Sequence, residues 1–149
     1  MDNKYMEIAL QEARKAYKKG EAPVGAVIVR DDEIIAKTHN LRESRKEPTA
    51  HAEILAIKKA AKKLNAWRLS DCDLYVTLEP CPMCAGAIVQ SKIRRLYYGA
   101  YDARAGAAGS VINLFENNFN HKVEVYEGIM EEECAEILRV FFKELRRKA

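Results

Sequence analysis

The chain is predicted to be an α/β protein, a three-layer α/β/α sandwich built on one sheet. Three observations lead there. Strand-length apolar runs alternate with helical runs in the order α-β-β-α-β-α-β-β-α. Residues 24–29 are apolar without interruption, the pattern of a strand covered on both faces. Helical stretches cross over between later strands, which makes that part of the sheet largely parallel.

Each element has its own reason. Met6, Ala9, Leu10, Ala13 and Tyr17 give the first helix one apolar face, and Gly20 ends it. The strand at 24–29 turns through Arg30-Asp31-Asp32 into a second at 33–38, and 40–49 reads as polar loop. The next helix opens at Pro48, with Thr49 as its cap, and buries Ile54, Ile57, Ala61 and Leu64. A strand at 74–78 stops at Pro80, and a nearly uniformly apolar helix begins near Pro82. Strands follow at 95–100 and 123–126. The last helix, from about Met130 to Arg147, carries the stripe Cys134, Ile137, Leu138, Phe141 and Leu145.

The 149 residues suffice for one domain, 1–149, and contain no internal repeat or linker. The formal charge of +3 permits an anionic partner without demanding one. Placement says more than the total. Arg42, Arg45 and Lys46 precede the second long helix, while Arg139, Lys143, Arg146, Arg147 and Lys148 crowd the C-terminus. Either cluster is also an ordinary solvated surface. No apolar run reaches the ~20 residues of a membrane span, and the start has no secretory apolar region. The four cysteines are therefore expected in a reducing cytoplasm, free for metal binding or catalysis.

The chemistry centres on Cys81 and Cys84. Three residues apart at a helix start, their sulfurs share one face and close on a single ion, and the helix N-terminus favours thiolate. A thioredoxin-like redox site has the same layout. His51 adds an imidazole, and His51, Cys81 and Cys84 together form the ligand set of a catalytic zinc. A structural zinc takes four protein ligands, for which only Cys72, Cys134, His39 or His121 remain, Cys72 first among them. Glu53 lies two residues from His51, so on a regular helix the two would not share a face. Both reach one site only if it lies off the helix tip, which suits Glu53 as a proton shuttle.

The combined pattern, HxE followed by PCxxC, is the recognised signature of zinc-dependent nucleobase deaminases. Over most of its length the chain closely resembles the bacterial tRNA-specific adenosine deaminases. The resemblance is carried by Ala22-Pro23-Val24-Gly25-Ala26-Val27, Asn40, the segments 48–53 and 74–84, Gly106-Ala107-Ala108-Gly109-Ser110, and Phe141-Phe142 with its basic tail. It implies a cytidine-deaminase-like fold with a five-stranded mixed sheet, one zinc ion per chain and a homodimer. It further implies hydrolytic conversion of adenosine to inosine at the wobble position of a tRNA anticodon stem-loop. Glu53 is then the catalytic residue, and Asn40, Ala52, Asp102 and Phe142 are the substrate contacts. Read from the residues alone, Asn40 and Asp102 are equally ordinary turn residues, and only one of Phe141 and Phe142 can point fully inward. Deaminases of free guanine, cytosine or a pyrimidine nucleotide share this metal motif, and a non-catalytic zinc or RNA-binding module is the rival of another class.

Overall fold

A computed structural model describes residues 3–117 and 119–148 of the chain; Met1, Asp2, Asn118 and Ala149 lie outside the described residues. In chain order the elements are α1 (Lys4–Lys18), β1 (Gly25–Arg30), β2 (Glu33–His39), α2 (Arg42–Arg45), α3 (Ala52–Leu64), β3 (Asp73–Leu78), α4 (Pro82–Gln90), β4 (Arg95–Ala100), β5 (Glu124–Tyr126) and α5 (Glu131–Lys148). A short 3-10 turn, Leu114–Glu116, precedes β5.

The five strands lie in the order β2-β1-β3-β4-β5. β1 runs antiparallel to both β2 and β3, whereas β3, β4 and β5 run parallel, so the sheet is mixed as expected. The hairpin between β1 and β2 closes on Asp31 and Asp32, both at positive φ, the backbone that fits the right-handed twist of paired strands. α1 and α5 cover one face of the sheet and α3 and α4 the other, giving the three layers. Side chains from both faces of β1 are buried, as its unbroken apolarity requires. α1 lies so close to β1 that a Cβ on Gly25 would sit 1.9 Å from the Ala9 carbonyl oxygen, so only glycine fits there.

Four expectations need correcting. The segment 40–49 is not all loop, because Glu21, 1% exposed, accepts hydrogen bonds from the Glu43 and Ser44 amides and nucleates the one-turn α2. The cap of α3 is His51 and not Thr49, since the chain makes a further turn through 47–50 before the helix begins. α3 buries Ala52, Leu55, Ala56 and Ala60, while Ile54, Ile57, Ala61 and Leu64 are half-buried at its flank. Small residues toward the sheet let the helix approach closely, which periodicity weighted by side-chain size does not register. On the outer helices, Tyr17 is half-buried and Leu145 exposed, because each lies beyond the part of its helix that the sheet covers.

Candidate metal centre and substrate groove

Two helix tips meet at the C-terminal edge of β3 and β4. His51 is the N-cap of α3 and Cys81 the N-cap of α4, each with extended backbone dihedrals. N-caps ordinarily use their side chain to hold the helix's own amides. Neither does so here, and both side chains are turned off the tip toward each other. This removes the conflict over helix faces, because His51 is not on the helical cylinder at all. Pro82 at the first helical position starts α4 directly, and Cys84 completes the group from the first turn.

The donor atoms of His51, Cys81 and Cys84 lie within 4.8 Å of one another, forming a cluster that could hold a metal ion. His51 Nδ1 is 3.6 Å from Cys81 Sγ and 3.4 Å from Cys84 Sγ. A tetrahedral zinc with metal–ligand distances of about 2.3 Å to sulfur and 2.0–2.1 Å to nitrogen sets such N···S edges at about 3.5–3.6 Å. The residues present therefore fit that ion. Cys81 is held as a thiolate, pushed down to about 4 by the hydrogen bond from Cys84 and then by His51. The Cys84 thiol is pushed strongly the other way, since its proton is shared with that thiolate and the site is buried. A dication bound there would take the place of that shared proton.

None of the four candidate fourth ligands joins the cluster among the described residues. Cys72 is buried at the far end of β3, its thiol pushed up to about 11 by burial. Cys134 is buried on the inner face of α5 against Gly99 of β4, and His121 bonds the Ile93 carbonyl. His39 lies between Glu12 and Lys19, at 2.9 Å from each. Three protein ligands are the pattern of a catalytic ion, not a structural one.

Glu53 is 4% exposed, beside Cys84 and in the first turn of α3. Burial raises its carboxyl to about 7, a value at which the group both accepts and releases a proton near neutrality. Asn40 is 7% exposed, and its Oδ1 accepts from the Ala52 amide at 2.7 Å, which fixes the amide plane and leaves Nδ2 for a ligand. Ala52 is thereby committed: its amide holds Asn40, and its carbonyl accepts from Thr38 Oγ1 at 2.7 Å. These two bonds tie β2 and Asn40 to the residue between His51 and Glu53.

On the other side of the site Asp102 and Phe142 line a groove of about 660 Å³ with Tyr101, Arg104 and Arg146. Asp102 Oδ1 accepts from the Arg104 and Ala105 amides, so it is a turn aspartate as well as a groove carboxylate. The adjacent phenylalanines divide as predicted. Phe141 is half-buried against Tyr17, their ring centroids 5.7 Å apart, and Phe142 is 43% exposed in the groove.

Glu79 is the residue that the sequence reading missed. It is 1% exposed and accepts from the amides of Asp102, Ala108 and Ser110 and from the Ser110 hydroxyl. Burial acts to raise its pKa, but the Ser110 hydroxyl and those amides outweigh it and hold the carboxyl below its usual range. Gly106 follows from this, since a Cβ there would sit 2.4 Å from the Glu79 carboxyl carbon. A signal was available: an acid closing an otherwise apolar strand beside Pro80 must find partners.

A sandwich of this topology, with a metal-ligand triad and a buried carboxylate at two helix tips, defines a cytidine-deaminase-like deaminase. The MafB19-like deaminase family matches residues 1–146. The chain is 53% identical over 148 residues to a tRNA-specific adenosine deaminase of Bacillus subtilis, covering 99% of this chain and 92% of that one. It superposes on the solved structure of a tRNA:A34 deaminase with a TM-score of 0.89 at 48% identity, over 92% of this chain and 100% of that one. A guanine deaminase from Bacillus subtilis superposes with a TM-score of 0.65 at 33% identity, over 80% of this chain and 88% of that one. The chain belongs to the MafB19-like deaminase family, on the branch of the tRNA-specific adenosine deaminases.

Proposed function

We propose that this protein hydrolyses adenosine to inosine and ammonia at the wobble position of a tRNA anticodon, using one zinc ion per chain. The observation that carries the reading is the three-ligand cradle with Glu53 buried beside it, between Asn40 and the Phe142 groove. Similarity to proteins named for tRNA adenosine deamination supports the substrate.

His51, Cys81 and Cys84 hold the ion, which when bound supplies Lewis-acid activation of water near neutral pH. Glu53 takes one proton of the attacking water and delivers it to a ring nitrogen, then takes the proton of the hydroxyl now on C6 and gives it to the amine, which leaves as ammonia as the C6 carbonyl forms. Its burial places it among the ligands without making it one. Asn40 Nδ2 donates to the base edge or sugar, and its orientation is set beforehand by Ala52. The free carboxylate oxygen of Asp102 accepts from a ribose 2′-hydroxyl, and Phe142 stacks on a loop base. An anticodon-loop base is already unpaired, so turning it into the site takes less energy than extracting it from a duplex.

The reading also includes a homodimer and action in the bacterial cytoplasm, where thiols such as Cys81 and Cys84 stay reduced. No described helix is long and apolar enough to cross a membrane. Offering an anticodon stem-loop beside free adenosine, guanine and cytidine tests the substrate: inosine should form in the stem-loop, with the free compounds turned over poorly. Efficient turnover of free guanine with none in the RNA would refute the RNA assignment and leave the metal chemistry standing. Sedimentation at working concentration checks the dimer, and a monomer alone would remove it.

A further inference from the structure

We propose that the groove between β2 and α3 is a track for the phosphate backbone of the substrate RNA, leading away from the target nucleotide; this rests on the tRNA reading above. The groove holds about 530 Å³ and is lined by Lys37, Arg45, Lys58, Lys59 and Lys62, with Glu12 as its one acid. That acid does not oppose an anion. Glu12 is 4% exposed, with Lys15 Nζ at 2.7 Å and His39 Nδ1 at 2.9 Å, and Lys19 Nζ lies 2.9 Å from the other His39 nitrogen. The five cations of the lining, by contrast, form no ion pair among the described residues; Lys59 Nζ reaches only the Lys37 carbonyl at 3.5 Å.

The charge pattern of α3 points the same way. It carries Lys58, Lys59, Lys62 and Lys63, and its only acid is Glu53 in the catalytic site. Lys58 and Lys62, four apart, repel each other along the helix with no acid between turns to offset them. The helix dipole favours cations in the last turn, which accounts for Lys62 and Lys63. It does not account for Lys58 and Lys59, or for Lys37 on the facing strand.

The groove also adjoins the site. Its wall includes Leu41, the neighbour of Asn40, and Thr38, whose hydroxyl bonds the Ala52 carbonyl between His51 and Glu53. From there Lys58 and Lys62 are spaced about 6 Å along the helix axis, and Arg45 joins the groove to the basic segment 42–46. Cations strung along an open groove position a backbone and do not select a base. Such a track would hold the strand flanking the extruded nucleotide, which the catalytic residues themselves leave free.

The test compares the zinc-loaded parent with Lys58→Ala/Lys59→Ala/Lys62→Ala, measuring affinity for an anticodon stem-loop across a salt series and turnover on the same RNA. Three lost phosphate contacts should flatten the slope of log K against log salt by about 2–3. KM should rise about 10-fold or more with kcat held. Lys58→Arg/Lys59→Arg/Lys62→Arg, which keeps the charge, should restore the parental slope and guards against a folding effect. Lys92→Ala, at the opposite end of the sheet, should change neither. Parental slope and KM in the alanine variant, while inosine still forms, would overturn the track and leave the function untouched. A change of sedimentation in place of the RNA effect would make the groove a contact between copies, and would overturn it too. Absence of inosine from the parent itself is the separate failure of the tRNA reading.

Discussion

At the residue scale, the two cysteines and the glutamate of the site do separable work. Cys84 is buried and within 3.4 Å of His51, so it closes the cradle from inside the α4 turn. Cys84→Ala should abolish metal binding, and metal analysis showing full occupancy in that variant would break the ligand assignment. Glu53 stands outside the ligand cluster, so Glu53→Gln should retain the metal and the fold. Its turnover should fall by about 10²–10⁴-fold, the usual contribution of a positioned acid–base group. A Glu53→Gln protein within a few-fold of the parent would end its role as shuttle, and loss of metal would make it a ligand.

At the scale of elements, two loops flank the site and each is stapled by a buried carboxylate. Glu21 holds the start of α2 through Ser44 and the Glu43 amide, and Glu79 holds the segment 102–110 through Ser110 and three amides. Glu79 directly precedes Pro80 and Cys81, so one residue ties a metal ligand to the loop bearing Asp102. Glu79→Gln would place an amide N–H2 against donors and leave one or more unsatisfied, which costs about 1–3 kcal/mol. Melting temperature reads that loss, and KM for RNA should rise as Asp102 loosens. Acid adds a second reading. The carboxyl titrates near 4.5 when unfolded and lower when folded, so its contribution is complete above about pH 4.5 and is lost as pH falls through the folded value. As pH falls below about 4.5 the Gln variant should therefore lose less stability than the parent. Equal acid sensitivity of the two would refute the staple.

At the scale of the molecule, the site links elements distant in sequence. His51 and Cys84 are 33 residues apart, and the ion that fits between them joins α3 to α4 on one face of the sheet. A metal bound only by the folded chain stabilises it by mass action. Stripping it with a chelator should lower the melting temperature by about 5–10 °C, and zinc should restore it. Calorimetry should show one cooperative transition for residues 1–149, as one domain requires; two resolved transitions would divide the chain.

The sequence by itself determined the layers, the five strands and the cysteine pair of the cluster, because these rest on local signals. Apolar runs, the Pro80-Cys81-Pro82 junction and the three-residue cysteine spacing act over one or two turns of chain. The division between Phe141 and Phe142 was half legible, since adjacency shows that they must diverge but not which turns inward. Tertiary structure alone decided that His51 and Cys81 both cap helices and aim off their tips, and that the Ala52 amide holds Asn40. It also decided that Ala56 and Ala60, not Ile54 and Ile57, face the sheet. Glu79 shows the physical reason best. Its partners stand 23 to 31 residues away, and a carboxylate's preference for buried donors does not say which donors the fold will bring to it.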